Sequence, residues 1–225
     1  MRNAPSLGSL VLSLIAFAAA LPATPHGAPV GERPLVALAP ARAEARGVTV
    51  YLHGLCGGPW RGCGALRDAA TTQGWLLCPT APGDCAWGGP SWSASLRARD
   101  VTLARALRAA GAADGARVLV GFSQGAFTAA DVARRSPGRW SALALIGADV
   151  RLDAPALGRA GVRRVLLAAG RFDGASRAMR ATAARLAREG FDARFLSLGD
   201  VGHTPAAHPA SAGWSEALAW LHGAR

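Results

Sequence analysis

"VLVGFSQGAF", Val118 to Phe127, is the stretch on which the reading of the whole chain turns. An apolar run stops abruptly at Ser123, which stands between Gly121 and Gly125, and the alanine-rich "GAFTAADVARR" follows. The run reads as a buried strand and the segment after it as a helix. A serine on so tight a turn is strained, and side chains at the flanking positions would strike neighbouring backbone, which glycine avoids. Gly121-Phe122-Ser123-Gln124-Gly125 is therefore G-x-S-x-G in the strand–turn–helix setting that a nucleophile elbow requires. Its hydroxyl is expected at the C-terminal end of a sheet, where open α/β folds bind ligands. Phe122 is expected to point toward the core, and the Gln124 N–H toward the site.

Outward from this unit, strand-like and helix-like segments alternate. "GVTVYLHG" is a short β-branched run ending in glycine, and "WRGCGALRDAATTQG" reads as a helix closed by Gly74. "WLLCPTAP" is a second buried strand, stopped by Pro79; "SASLRARDVTLARALRAAG" sets Leu96, Leu103 and Leu107 at helical spacing and stops at Gly111. Downstream lie strands "WSALALIG", "VRRVLLAAG" and "FDARFLSLG", a helix "ASRAMRATAARLAREG" and a closing helix "PASAGWSEALAWLHG". Strands that are apolar throughout and separated by helices imply a mostly parallel sheet covered on both faces. A chain of 225 residues can bury a full core as one domain. The expected class is single-domain α/β, with no repeat, no second domain and no large lid.

A serine hydroxyl needs a base, and the base needs an orienting carboxylate, in the chain order Ser, acid, His for an elbow of this kind. After Ser123 the histidines are His203, His208 and His222. His203, in "LGDVGHTP", lies in the loop after the last strand and is the candidate base. His208 precedes a proline, and His222 is expected on the solvated side of the terminal helix. Asp173 in "GRFDG" is the candidate acid, because its loop comes just before the final βαβ step. Asp149 in "IGADV" is its rival one strand earlier, whereas Asp153 and Asp200 read as ordinary loop carboxylates. The glycine-rich "YLHGLCGGPW" can turn backbone N–H groups toward a carbonyl oxygen; Leu55 and Gln124 are the candidate oxyanion donors. His53 precedes the serine and is expected to hold its loop by hydrogen bonds. Trp60, Trp87 and Trp92 sit in loops on the same side, as candidate pocket walls or as packing over those loops.

Composition narrows the setting. Net charge is +11 and every basic residue is arginine. The arginines are scattered along helices rather than gathered in a block with interleaved aromatics, so nucleic-acid binding is not expected. The start, "MRNAPSLGSLVLSLIAFAAALPATP", places one arginine before the apolar stretch Leu7 to Ala20, with Ala18 and Ala20 as an A-x-A site. That pattern is a secretory signal, too short to span a bilayer comfortably. Residues 1–20 are thus read as a signal peptide, 21–33 as a flexible leader and 34–225 as the catalytic domain. A secreted or periplasmic protein is expected, with no stable membrane insertion once the signal is removed. Cys56, Cys63, Cys78 and Cys85 are an even set in an exported chain, which implies disulfides. Their C-x6-C spacing lacks the C-x2-C knuckle of a structural zinc site. Three pairings are open to four cysteines; the local pairs Cys56–Cys63 and Cys78–Cys85 are weakly preferred.

These stretches resemble the phospholipase/carboxylesterase group of α/β hydrolases, which includes the acyl-protein thioesterases. "HGLCG" is similar to the group's HGLG loop, "GFSQG" to its elbow, "PTAPGDCAWGGPSW" to its proline-rich loop ending in P-S-W, and "GH" precedes a closing helix ending "WL". The likeness runs from about Val48 to Leu221. It implies Ser123, Asp173 and His203 as a triad, with Leu55 and Gln124 as oxyanion donors. The segment around the acid, "AGRFDGASRAM", departs from the group's H-G-x-x-D-x-x-V, and the cysteines and export signal are also unusual for it. The expected activity is hydrolysis of a small or medium carboxylic ester through an acyl-enzyme, which needs no metal or cofactor. Acyl transfer or peptide cleavage on the same triad, and ligand binding without catalysis, are the alternatives.

Overall fold

The computed structural model describes residues 33–111, 113–209 and 213–223. The expected signal peptide, and the leader apart from Arg33, lie outside the described residues. In chain order the elements are β1 (Leu35–Leu38), β2 (Gly47–Leu52), α1 (Pro59–Gln73), β3 (Gly74–Pro79), β4 (Gly83–Asp84), β5 (Pro90–Ser91) and α2 (Leu96–Ala109). Then follow β6 (Arg117–Phe122), α3 (Gln124–Arg135), β7 (Ala142–Ile146), α4 (Ala154–Arg159), β8 (Arg164–Ala169), α5 (Ser176–Arg188), β9 (Asp192–Ser197) and α6 (Gly213–His222).

Seven strands form one sheet in the order β1-β3-β2-β6-β7-β8-β9, while β4 and β5 make a small hairpin of their own. Every pairing in the large sheet is parallel except β1 with β3. The central strands lack polar alternation because both of their faces are covered: β2 and β7 are buried at every position. Successive residues enter different cores. Leu119 of β6 packs with Leu103 of α2, Ala129 of α3 and Met179 of α5, whereas Val118 and Val120 pack with Leu66 of α1 and Trp214 and Leu218 of α6. The edge strand β9 is only half covered, and there Arg194 lays its guanidinium 4.3 Å from the Trp220 ring centroid.

Four short elements were not expected: β1, the hairpin strands β4 and β5, and α4. Strand β1 is four residues long, lies just after Pro34 and carries no periodic signal of its own; it exists because β3 offers an edge. Helix α4 has six residues, started by the Asp153 carboxylate accepting from the Ala156 N–H at 2.7 Å.

The cysteine pairing corrects the local expectation. Cys56 bonds to Cys85 and Cys63 to Cys78, with Cα separations of 5.4 and 6.0 Å. Cys63 lies on the buried face of α1 against β3, which carries Cys78, so these two share one core. Cys56 and Cys85 lie in the loops that leave the neighbouring strands β2 and β3 at the same end. Sheet adjacency, not sequence proximity, chose the partners. No helix among the described residues is long and apolar enough to cross a membrane.

Candidate active site

Ser123 is the single residue between β6 and α3, and its backbone has the left-handed φ of 53°. Few L-residues accept that conformation, so the turn holds stored strain. The flanking glycines answer to space rather than to φ. A Cβ on Gly121 would meet the Gly125 carbonyl, and one on Gly125 would meet the carbonyls of Leu52, at the end of β2, and of His53 just after it. Helix α3 therefore starts tight against the sheet and lifts the hydroxyl out of it. Gln124, the first residue of α3, has no helical carbonyl behind its N–H.

The hydroxyl Oγ of Ser123 lies 3.0 Å from His203 Nε2, and His203 Nδ1 lies 2.8 Å from Asp173 Oδ2. Two loops zip together to make this meeting. The Arg171 N–H donates to the Gly199 carbonyl at 2.8 Å and the Phe172 N–H to the Val201 carbonyl at 3.0 Å. Gly170 allows the approach, since a Cβ there would collide with Val201. Asp173 is buried and its second oxygen accepts from the Ala175 N–H at 2.9 Å, which fixes the carboxylate plane. His203 keeps half of its side chain exposed, so its imidazole is open to solvent. Gly147, in the loop after β7, was not singled out by the sequence. Its φ is +61°, and a Cβ there would stand 2.8 Å from Asp173 Oδ2 and 3.0 Å from His203 Nδ1.

Asp149 is exposed and ends on another wall. It lines a cleft of about 620 Å³ that runs from Gln124, Trp92 and Phe127 to Val150 and Arg151. His203 Nδ1 is already taken by Asp173.

Opposite the imidazole, the loop after β2 presses on the elbow: a Cβ on Gly54 would lie 3.3 Å from Ser123 Cβ. Leu55 follows directly, half exposed at the rim. His53 is buried and spends both ring nitrogens on structure. Nδ1 donates to the Gly54 carbonyl at 2.7 Å, and Nε2 accepts from the Ala81 N–H at 3.0 Å. Burial pushes its pKa down, so the ring stays neutral and in one tautomer. The Trp92 indole N–H donates to the His53 carbonyl at 2.9 Å, and Gln124 Oε1 accepts from the Trp92 N–H at 3.0 Å. Gln124 Nε2 donates to the Ser93 hydroxyl at 2.9 Å. Three loops are thus fastened to one another around the serine. Ser91 and Ser93 were missed as fasteners, because only the tertiary fold brings "PSWS" to Gln124.

No protein-family model and no curated protein matches the sequence. Solved structures do resemble it. Esterase PE8 superposes with a TM-score of 0.63 at 24% identity, over 84% of this chain and 97% of that one. Acyl-protein thioesterase 2 of Zea mays gives 0.59 at 20%, over 84% and 97%. The Bacillus cereus carboxylesterase gives 0.60 at 16%, over 87% and 96%.

The chain has the α/β-hydrolase fold. Within this hydrolase fold Ser123, Asp173 and His203 occupy loops after β6, β8 and β9, all at the C-terminal end of the sheet. The tryptophans divide. Trp92 is buried and structural, whereas Trp60 and Trp87 are 60% and 87% exposed. The Phe122 ring leans toward the site, 4.8 Å from the His203 ring, while still packing on the core under α1 and α6. His222 corrects an expectation. Its Nε2 lies 2.9 Å from the Thr49 hydroxyl of β2, and burial pushes its pKa down to about 4. It clamps α6 to the hydrolase sheet instead of facing solvent. His208 donates its N–H to the Leu198 carbonyl at 2.7 Å, a loop role. Among the described residues no cluster of His, Cys, Asp and Glu has the makings of a metal site.

Proposed function

We propose that the protein is an exported serine hydrolase that cleaves small or medium carboxylic esters through an acyl-enzyme. One observation carries the reading: a strained serine hydroxyl 3.0 Å from an imidazole whose other nitrogen is held 2.8 Å from a buried carboxylate. That chain of contacts requires the tautomer in which His203 Nδ1 carries the proton toward Asp173. Nε2 is then free to accept from Ser123.

In the reaction so read, Ser123 Oγ attacks the ester carbonyl carbon as its proton passes to His203 Nε2. Asp173 stabilises the imidazolium. The carbonyl oxygen takes negative charge and turns toward the N–H groups of Leu55 and Gln124, donors already fixed by their loops; a donor of this kind contributes about 3 kcal/mol. Collapse expels the alcohol, which takes its proton from His203. Water then gives a proton to the same nitrogen, attacks the acyl-enzyme and releases the acid. The esterase and carboxylesterase neighbours support ester chemistry by fold. The two disulfides support an oxidising compartment.

A fluorophosphonate probe followed by a panel of p-nitrophenyl esters of rising chain length tests the reading. The wild type is expected to label and to turn over the shorter esters, and Ser123→Ala to fold but do neither. Labelling that survives in Ser123→Ala would move the nucleophile elsewhere.

A further inference from the structure

We propose that the Ser123 end of the molecule docks onto an anionic lipid interface. Among the described residues, the exposed large apolar side chains are not scattered. Leu55 and Trp87 lie in the loops after β2 and within the β4–β5 hairpin, and Phe172 in the loop after β8. Trp60, Leu96 and Phe127 lie in the first turns of α1, α2 and α3. All six positions follow strand ends on the side that carries Ser123. Val101, midway along α2, is the exception. Isolated exposed apolar residues need no explanation, but a collection at one end marks an interaction surface.

The most exposed ring is also the most deliberately held. Trp87 sits at the tip of a hairpin closed by the Cys85 N–H donating to the Gly89 carbonyl at 2.9 Å. Gly88 and Gly89 take left-handed φ of 88° and 83° to make the turn. Cys56–Cys85 then ties that tip to the loop of Leu55. A ring at 87% exposure on a fastened support loses little conformational freedom when it is buried by a partner.

Charge selects the partner. Arg61 is exposed beside Trp60, and the Arg171 guanidinium lies 5.4 Å from the Phe172 ring centroid, its side chain 69% exposed. Aromatic side chains flanked by arginine match a bilayer surface, where rings enter the headgroup–acyl boundary and guanidinium groups meet phosphates. Net charge of +11 adds long-range attraction to an anionic surface. Of the carboxylates at this end, Asp84 and Asp200 are paired with Arg33 and Arg171, Asp173 is buried against His203, Asp153 caps α4, and Asp149 stands exposed. A neutral polymer would explain the rings but not the arginines.

Docking does not depend on the hydrolase reading, so it is tested in a Ser123→Ala chain, which leaves lipids intact. Sedimentation is measured with vesicles of phosphatidylcholine alone and of equal parts phosphatidylcholine and phosphatidylglycerol. Binding is expected to be at least about tenfold stronger to the anionic vesicles, to fall about tenfold or more in Trp87→Ser/Phe172→Ser and to fall several-fold in Arg61→Glu. Arg188→Glu, at the far end of α5, should leave it unchanged. Both apolar sites are exposed, so far-UV spectra should be preserved; Trp87→Leu should bind better than Trp87→Ser. Quenching of tryptophan fluorescence by brominated lipid reads insertion in the unmutated rings. Equal binding to both vesicle types overturns the proposal. So does binding that ignores the apolar substitutions and vanishes in high salt, which is mere adsorption of a basic protein. Retention on a polyester film without vesicle binding would assign the surface to a neutral polymer instead. Fluorophosphonate labelling of the wild type stands or falls separately.

Discussion

Asp149 and Asp173 both follow strands that lie side by side in the sheet, yet only Asp173 is buried against an imidazole. The difference is one of neighbours. The loop of Asp173 is hydrogen-bonded to the loop of His203, whereas Asp149 runs outward into the cleft beside α3. Asp173→Asn should lower turnover of an activated ester by several orders of magnitude. An amide there holds the imidazole in the wrong tautomer, an effect of ~10⁴-fold in serine proteases. Asp149→Asn should keep most of its activity. Steady-state kinetics, with far-UV spectra to confirm folding, separate the two; a dead Asp149→Asn beside an active Asp173→Asn would shift the acid one strand earlier. The contacts of His203 with Ser123 and Asp173 join three residues that the chain already singled out. Gly147 was not among them, because its value lies in a left-handed φ and in the room it leaves under the His203–Asp173 pair.

At the scale of elements, the two disulfides lie close together and do different work. Cys63–Cys78 fastens α1 to β3 within the core. Cys56–Cys85 holds a surface loop one residue beyond Leu55, with Cys56 itself at a left-handed φ of 54°. Removing the first, as Cys63→Ser/Cys78→Ser, should act on stability: its sequence separation of 15 corresponds to about 3 kcal/mol of chain entropy. Removing the second, as Cys56→Ser/Cys85→Ser, should act on catalysis. We expect kcat to fall roughly ten- to a hundredfold with KM little changed, since an oxyanion donor matters most in the transition state. Thermal melts and kinetics on both double variants check this, and non-reduced peptide mapping checks the pairing. Should the Cys63–Cys78 variant lose the more kcat, Leu55 is not held by its neighbouring bridge.

Across the whole molecule, His222 joins the last helix to the second strand. Burial lowers its pKa from the ordinary 6.5 to about 4, so between those values the unfolded chain binds a proton that the native chain refuses. Stability from this contact is therefore complete above about pH 6.5 and declines as pH falls toward 4, by on the order of 3 kcal/mol. His53, also lowered by burial, acts in the same direction. Denaturant unfolding from pH 7.5 to pH 4 should show the decline, and His222→Gln should flatten it. An unchanged slope in the variant would place the acid sensitivity in other groups. Gly47 belongs to the same clamp, since a Cβ there would stand 2.5 Å from the His222 ring.

What the sequence determined by itself is local or periodic. Unbroken apolar runs marked strands covered on both faces, heptad-like leucines marked helices, and G-x-S-x-G between a run and a helix marked the turn that carries the hydroxyl. What only the tertiary structure decided depends on which strands become neighbours. The order β1-β3-β2-β6-β7-β8-β9 sets Cys56 beside Cys85 and "PSWS" beside Gln124, and turns His222 inward to Thr49. It also recruits β1 as an edge strand from four residues with no pattern of their own. These contacts join residues 29 to 173 positions apart, and no short-range propensity encodes a partner at such a distance. The packing of the sheet and its two helical layers chooses it.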